Sequence, residues 1–175
     1  KNKYPQEKKD MAEITFKGNA VRTAGQLPAV GSIAPDFQLT GTDLADIQLS
    51  ALRGKKVVLN IFPSIDTGIC AASARKFNQL ASSLDNTIVL NISKDLPFAH
   101  SRFCAAEGLE NVHGASQYKD AAFSSSYGVD MADGPLAGLM SRAVVIVNTE
   151  GQVTYTEQVP DIVQEPNYEA AIAAL

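Results

Sequence analysis

The sequence predicts an α/β fold, a mixed central sheet with helices on its faces, and three observations predict it. Two near-continuous β-branched runs, Lys56-Val-Val-Leu-Asn-Ile-Phe62 and Thr87-Ile-Val-Leu-Asn-Ile-Ser93, have the composition of strands buried on both faces. Between them, Cys70–Leu84 carries apolar residues at 70, 74, 77, 80, 81 and 84, which is helical spacing. Further on, Ser141–Val147 and Gln152–Gln158 flank a turn at Asn148-Thr-Glu-Gly151 and read as a β-hairpin. The helix-separated pair of runs is a βαβ unit, expected to be parallel with a right-handed crossover.

The remaining elements follow in order. Glu13–Thr23 alternates apolar and polar residues around Gly18-Asn19, which predicts a hairpin with its tight turn there. Pro28, Gly31 and Pro35 punctuate an extended stretch, followed by short strands at Phe37–Leu39 and Ile47–Leu49. Gly54 and Pro63 bound the first buried run. Pro97 opens a helix at its first position, and that helix runs to Glu107 and stops at Gly108. Asp120–Tyr127 predicts a short helix ended by Gly128, and Pro166–Leu175 a closing helix. No repeat or low-complexity linker interrupts the chain, so residues 11–175 read as one domain. This order of elements is that of a thioredoxin-like fold with an added N-terminal β-hairpin.

Composition removes several function classes. The chain has 175 residues, 45% hydrophobic and 19% charged, an ordinary globular balance. A formal net charge of −4 argues against nucleic acid as a partner, which would call for a basic patch. Lys1, Lys3, Lys8 and Lys9 cluster at a terminus and read as a solvated tail. No apolar run approaches the roughly 20 residues needed to span a bilayer, so no membrane partner is expected. Residues 1–10 lack the apolar centre of a signal peptide, and Met11 looks like a natural initiator. A non-native or unstructured tail and a cytoplasmic location are expected, with periplasmic export left open.

Two cysteines, Cys70 and Cys104, allow one intramolecular bridge. With two histidines and no Cys/His cluster, a structural zinc site is not expected. Three readings stay open on count alone: inert buried thiols, a static structural disulfide, or a redox pair. Position says more than count. Cys70 falls where a buried strand has ended, after a Pro- and Gly-containing loop, in the first turn of a helix. Ligands of open α/β sheets bind at the carboxyl ends of strands. A helix N-terminus offers unpaired N–H groups and positive partial charge, which favour the nucleophilic thiolate. The competing reading is a small hydrophobe facing the core, since position 70 also lies on the apolar face. Thr67 lies at the helix start, where its hydroxyl can accept from a backbone N–H or donate to a bound oxygen; Asp66 competes for the cap.

Pro63-Ser-Ile-Asp-Thr67-Gly-Ile-Cys70 has the form Pro-x-x-x-Thr-x-x-Cys, which resembles the active-site signature of peroxiredoxins. The strand preceding Pro63 and Ala34-Pro-Asp-Phe37 resemble that family too. Asn60–Cys70 followed by Arg75-Lys-Phe-Asn78, Ser101–Gly108, and Ala132–Leu136 through Ser141-Arg142-Ala-Val resemble its bacterial thiol peroxidase branch. The resemblance runs from about Ala12 to Leu175.

That resemblance implies a role for each residue. Cys70 is the expected peroxidatic thiolate, attacking a peroxide oxygen to become a sulfenic acid. Thr67 is expected to hydrogen-bond thiolate and peroxide. Arg142, at the start of a strand, is expected to supply a guanidinium that favours the thiolate and binds oxygen; its plain alternative is a charge at an exposed strand edge. Pro63 is expected to shield the site from water, and Cys104 to resolve the sulfenic acid as an intrachain disulfide after local unwinding. Thioredoxin is the implied reductant, organic hydroperoxides the favoured substrates, and a homodimer the implied assembly. Phe62, Ile65, Ile69 and Leu139 are candidates to line an apolar approach. No metal or organic cofactor is implied. Gly68-Ile69 departs from the Pro-Val or Phe-Val of many peroxiredoxins, and no further cysteine lies near the C-terminus. A dithiol oxidoreductase, a non-catalytic redox sensor and a binding module with inert thiols are the competing readings.

Overall fold

The computed structural model describes residues 11–175; the expected tail at residues 1–10 lies outside the described residues. The predicted architecture is found. A seven-stranded mixed sheet is flanked by helices, and a separate two-stranded ribbon precedes it. The ribbon pairs β1 (Glu13–Phe16) with β2 (Asn19–Arg22) in antiparallel register. Its turn sits at Lys17-Gly18, one residue earlier than the sequence suggests. Both residues adopt positive φ, 51° and 82°, as the tightest hairpin turn requires, while Asn19 is paired with Phe16.

The sheet is built around β5 (Lys56–Ile61) and β6 (Thr87–Ser93), parallel and joined through α1 (Gly68–Ala81). On one side of β5 runs β8 (Ala143–Val147), antiparallel, followed by β9 (Val153–Gln158). On the far side of β6 lie β7 (His113–Ser116), β3 (Gln38–Gly41) and β4 (Asp46–Gln48). The helices α2 (Pro97–Glu107), α3 (Ala122–Ser126) and α4 (Tyr168–Ala173) complete the chain. Gly108 ends α2 in the left-handed conformation, φ 64°, and its N–H bonds the Cys104 carbonyl. Leu49, expected at the end of a strand, instead opens a 3-10 turn over Leu49–Leu52.

β7 is the one strand of the sheet that the sequence does not announce. His-Gly-Ala-Ser carries no β-branched run, yet pairs parallel with β6 and antiparallel with β3. Its Gly114 is dictated by packing. A Cβ there would fall 2.5 Å from the Cβ of His100 on α2.

Alternation along β5 distributes its side chains to two cores. Val57, Leu59 and Ile61 join Phe37, Leu90, Phe123 and Tyr127 on one face. Val58 joins Phe77, Val89, Val144 and Ala171 on the other. Asn60 is fully buried, and its amide donates to Asn91 Oδ1 at 2.9 Å and Ser73 Oγ at 3.3 Å. Among the described residues no helix is long and apolar enough to cross a membrane.

Candidate active site

β5 ends at Ile61, and the loop Phe62–Asp66 carries the chain to α1, whose N-cap is Thr67. Cys70 is therefore in the first helical turn, at the carboxyl end of a central strand, as expected. It is fully buried, within a cluster of Phe62, Ile65, Ala71, Ala74 and Phe103. Its carbonyl accepts a hydrogen bond from the Ser73 hydroxyl at 2.9 Å. No side chain caps the helix start. The Thr67 hydroxyl donates to the Ser64 carbonyl at 3.1 Å rather than accepting from the helix. Asp66 does not cap either; its carboxylate pairs with Arg102 of α2.

Arg142 decides what the cysteine faces. It stands just before β8, and it is 1% exposed, the largest fully buried side chain in the described residues. The reading of Arg142 as an exposed strand-edge charge is thereby overturned. Its Nη2 donates to the Cys70 sulfur at 3.3 Å, and its Nε donates to the Ile162 carbonyl at 2.8 Å. Its Nη1 is buried without a protein partner. Little water screens an electrostatic interaction between two groups this buried.

Arg142 also lines a cavity of about 380 Å³ with Pro63, Thr67, Gly68 and Ile69. Phe16, Leu136, Leu139, Ile162 and Val163 supply much of its apolar wall. Ile69 and Leu139, two of the residues the sequence offers for an apolar approach, line this cavity. Phe62 and Ile65 do not line it: they are buried in the Cys70 cluster. Pro63 is buried in the cavity wall.

Cys104 lies on α2, half-buried, and both cysteines are free thiols. Burial pushes the Cys104 thiol above its ordinary pKa. Its neighbour Phe103 belongs to the Cys70 cluster. Pro63, Thr67, Cys70 and Arg142 are brought to one place; Cys104 is on the adjoining helix.

The Redoxin family profile matches residues 29–172. The thiol peroxidases of Mycobacterium bovis and Mycobacterium tuberculosis are each 59% identical over 165 residues, covering 94% of this chain and 99% of theirs. The chain is a redoxin of the thiol peroxidase branch. A peroxiredoxin-like protein from Aquifex aeolicus is 34% identical, with a TM-score of 0.88 over 94% of this chain and 96% of that one. A thiol peroxidase from Chromobacterium violaceum, 20% identical, shares the fold with a TM-score of 0.85, over 92% of this chain and 93% of that one. This redoxin is accordingly an enzyme of the thiol-dependent peroxidase class.

Two features of the redoxin site are not legible in its sequence. The Ile162 carbonyl holds Arg142, and the turn that presents it is fixed by Asp161. That carboxylate accepts from the Thr15 hydroxyl at 2.5 Å and from the Gly18 and Val163 N–H groups, which depresses its pKa to about 2. The second is Asp95, whose carboxylate accepts from the Ile65 N–H and the Ser64 hydroxyl, each at 2.8 Å. No motif marks either aspartate, because each accepts hydrogen bonds from a segment distant in sequence.

Proposed function

We propose that this chain, acting as a single domain over residues 11–175, reduces hydroperoxides with Cys70 as nucleophile and Cys104 as resolving partner. The observation that carries the reading is the Arg142 guanidinium, 3.3 Å from the Cys70 sulfur and with one buried N–H group unpartnered beside an apolar cavity. The Cys70 thiolate attacks the terminal peroxide oxygen. The S–O bond forms as the O–O bond breaks, and the alkoxide leaves as an alcohol after taking a proton. Arg142 stabilises the charge developing on the oxygens, and the Thr67 hydroxyl, at the cavity wall, reorients to hold the peroxide. Cys70 becomes a sulfenic acid. The Cys104 thiol condenses with it, releasing water and leaving a disulfide.

Two electrons then return from an external dithiol. Thioredoxin is the proposed reductant, on the family resemblance. The apolar wall supports organic hydroperoxides over hydrogen peroxide. A cytoplasmic homodimer belongs to the same reading.

Mass measurement and peptide mapping test the cycle, after one equivalent of cumene hydroperoxide is added to reduced protein. The expected product has lost two hydrogens and contains a Cys70–Cys104 bridge within one chain. Two free thiols would sink the reading. Oxidation confined to Cys70, without turnover by a dithiol, would instead favour a redox sensor.

A further inference from the structure

The loop before Cys70 and the start of the Cys104 helix leave the carboxyl ends of adjacent parallel strands. The first follows β5, and the second, Lys94–Leu96, follows β6. Asp95 joins them. Its two carboxylate oxygens accept from the Ser64 hydroxyl and the Ile65 N–H at 2.8 Å each. The Ser93 hydroxyl also donates to this carboxylate. That commits the Ser93 proton, so His100 Nε2, 2.9 Å from the same oxygen, is the donor in their bond. His100 lies one helical turn before Cys104 and is buried against Gly114. The Asp95 carbonyl is tied in turn by the Ser116 hydroxyl of β7.

Two ion pairs tie the loop and α1 to α2 further out. Asp66 meets Arg102, and Arg75 meets Glu107 in a two-point contact at 2.7 and 2.8 Å. Both are exposed and worth little individually. The Asp95 clasp is different, being part-buried and made of charge-assisted bonds.

We propose that Asp95 is a positioning residue, a clasp that holds the Ser64–Ile65 loop to the α2 hinge and sets how readily Cys104 reaches Cys70. The inference rests on the two-cysteine reading above. Cys104 approaches only if Phe103 leaves the Cys70 cluster, which requires the hinge and the loop to part. While the clasp is closed, Cys70 stays beside Arg142 and reacts with peroxide. When it opens, the sulfenic sulfur becomes accessible to Cys104. A tighter clasp therefore leaves the sulfenic acid longer, exposed to a second peroxide that oxidises it to sulfinic acid and is itself reduced to an alcohol.

Single-turnover rapid quench with cumene hydroperoxide, followed by alkylation and mass measurement, separates the two rates. It is applied to the full chain and to Asp95→Asn and Ser64→Ala. In both variants the first-order rate of disulfide formation is expected to rise, by about tenfold in Asp95→Asn, as expected when bonds to a carboxylate are weakened. The Cys70 oxidation constant is expected to fall, and less sulfinic acid to form under excess peroxide. Ser64→Ala removes one bond and leaves the carboxylate, so it guards against Asp95→Asn failing to fold. General destabilisation would lower the urea-unfolding midpoint, so the rates are compared only in variants whose midpoint matches the unaltered protein. An unchanged or slower disulfide step in folded Ser64→Ala would overturn the clasp while leaving the catalytic cycle standing. Absence of any Cys70–Cys104 bridge in the unaltered protein would instead remove the cycle, and the clasp with it.

Discussion

Arg142 donates from Nη2 to the Cys70 sulfur at 3.3 Å, although the two residues are 72 positions apart. One lies in the first turn of α1, just after β5, and the other stands just before β8. The β5–β8 register brings them together, pairing Ile61 with Ala143, the residue after Arg142.

Replacing Arg142 by Met keeps a long side chain and removes the charge. The second-order rate of Cys70 oxidation should fall by about 10²–10³, the usual effect of deleting a donor aimed at developing negative charge. Stability should change far less. The Ile162 carbonyl loses its donor at a cost of about 1–3 kcal/mol, but a buried charge is removed with it. Stopped-flow kinetics and urea unfolding on the same sample separate the effects.

The cavity wall should set substrate preference. Leu139→Ser or Ile69→Ser removes apolar surface facing an organic peroxide, worth about 1 kcal/mol for a partly buried side chain, or roughly fivefold in rate. The cumene hydroperoxide rate should drop by about that factor, and the hydrogen peroxide rate should stay nearly constant. Equal losses for both peroxides would mean that the wall does not contact the alkyl group.

The disulfide-forming step should depend on pH through Cys104. Burial raises its pKa, so the folded helix keeps it protonated where a free thiol would ionise. Its rate should climb with pH beyond the ordinary thiol value of about 8.5 before levelling. Rapid-quench measurement from pH 6 upward checks this, and levelling below that value would contradict a buried ground-state thiol. Cys104→Ser should still consume one equivalent of peroxide and form no intrachain bridge.

Acid should act on stability through His100, whose pKa is lowered chiefly by burial, against the opposing charges of Asp95 and Asp66. The unfolded chain then binds more protons than the folded one between the two pKa values, so stability rises with pH across that window. The contribution is complete above about 6.5 and is lost as pH falls toward the depressed folded value. Denaturant unfolding from pH 7 to 5 should show this slope, and His100→Gln should flatten it.

The sequence by itself determined most of the sheet, because those signals are local. β-branched runs at Lys56–Phe62 and Thr87–Ser93, helical spacing after Cys70, and Pro97 and Gly108 at the ends of α2 each act within a few residues. The same holds for the loop that presents Cys70, since Pro63-x-x-x-Thr67-x-x-Cys70 is one contiguous segment. Tertiary structure decided the rest. β7 is a strand because the edges of β3 and β6 accept it and because only glycine leaves room for His100. Lys17 rather than Asn19 takes the turn because the ribbon register places it there. Arg142 is buried rather than exposed because a sulfur, the Ile162 carbonyl and a cavity meet around it. Asp95 looks like any turn aspartate until two adjacent strands deliver two loops to its carboxylate. Hydrogen-bond partners distant in the chain leave no periodic trace, and only the packing of strands creates them.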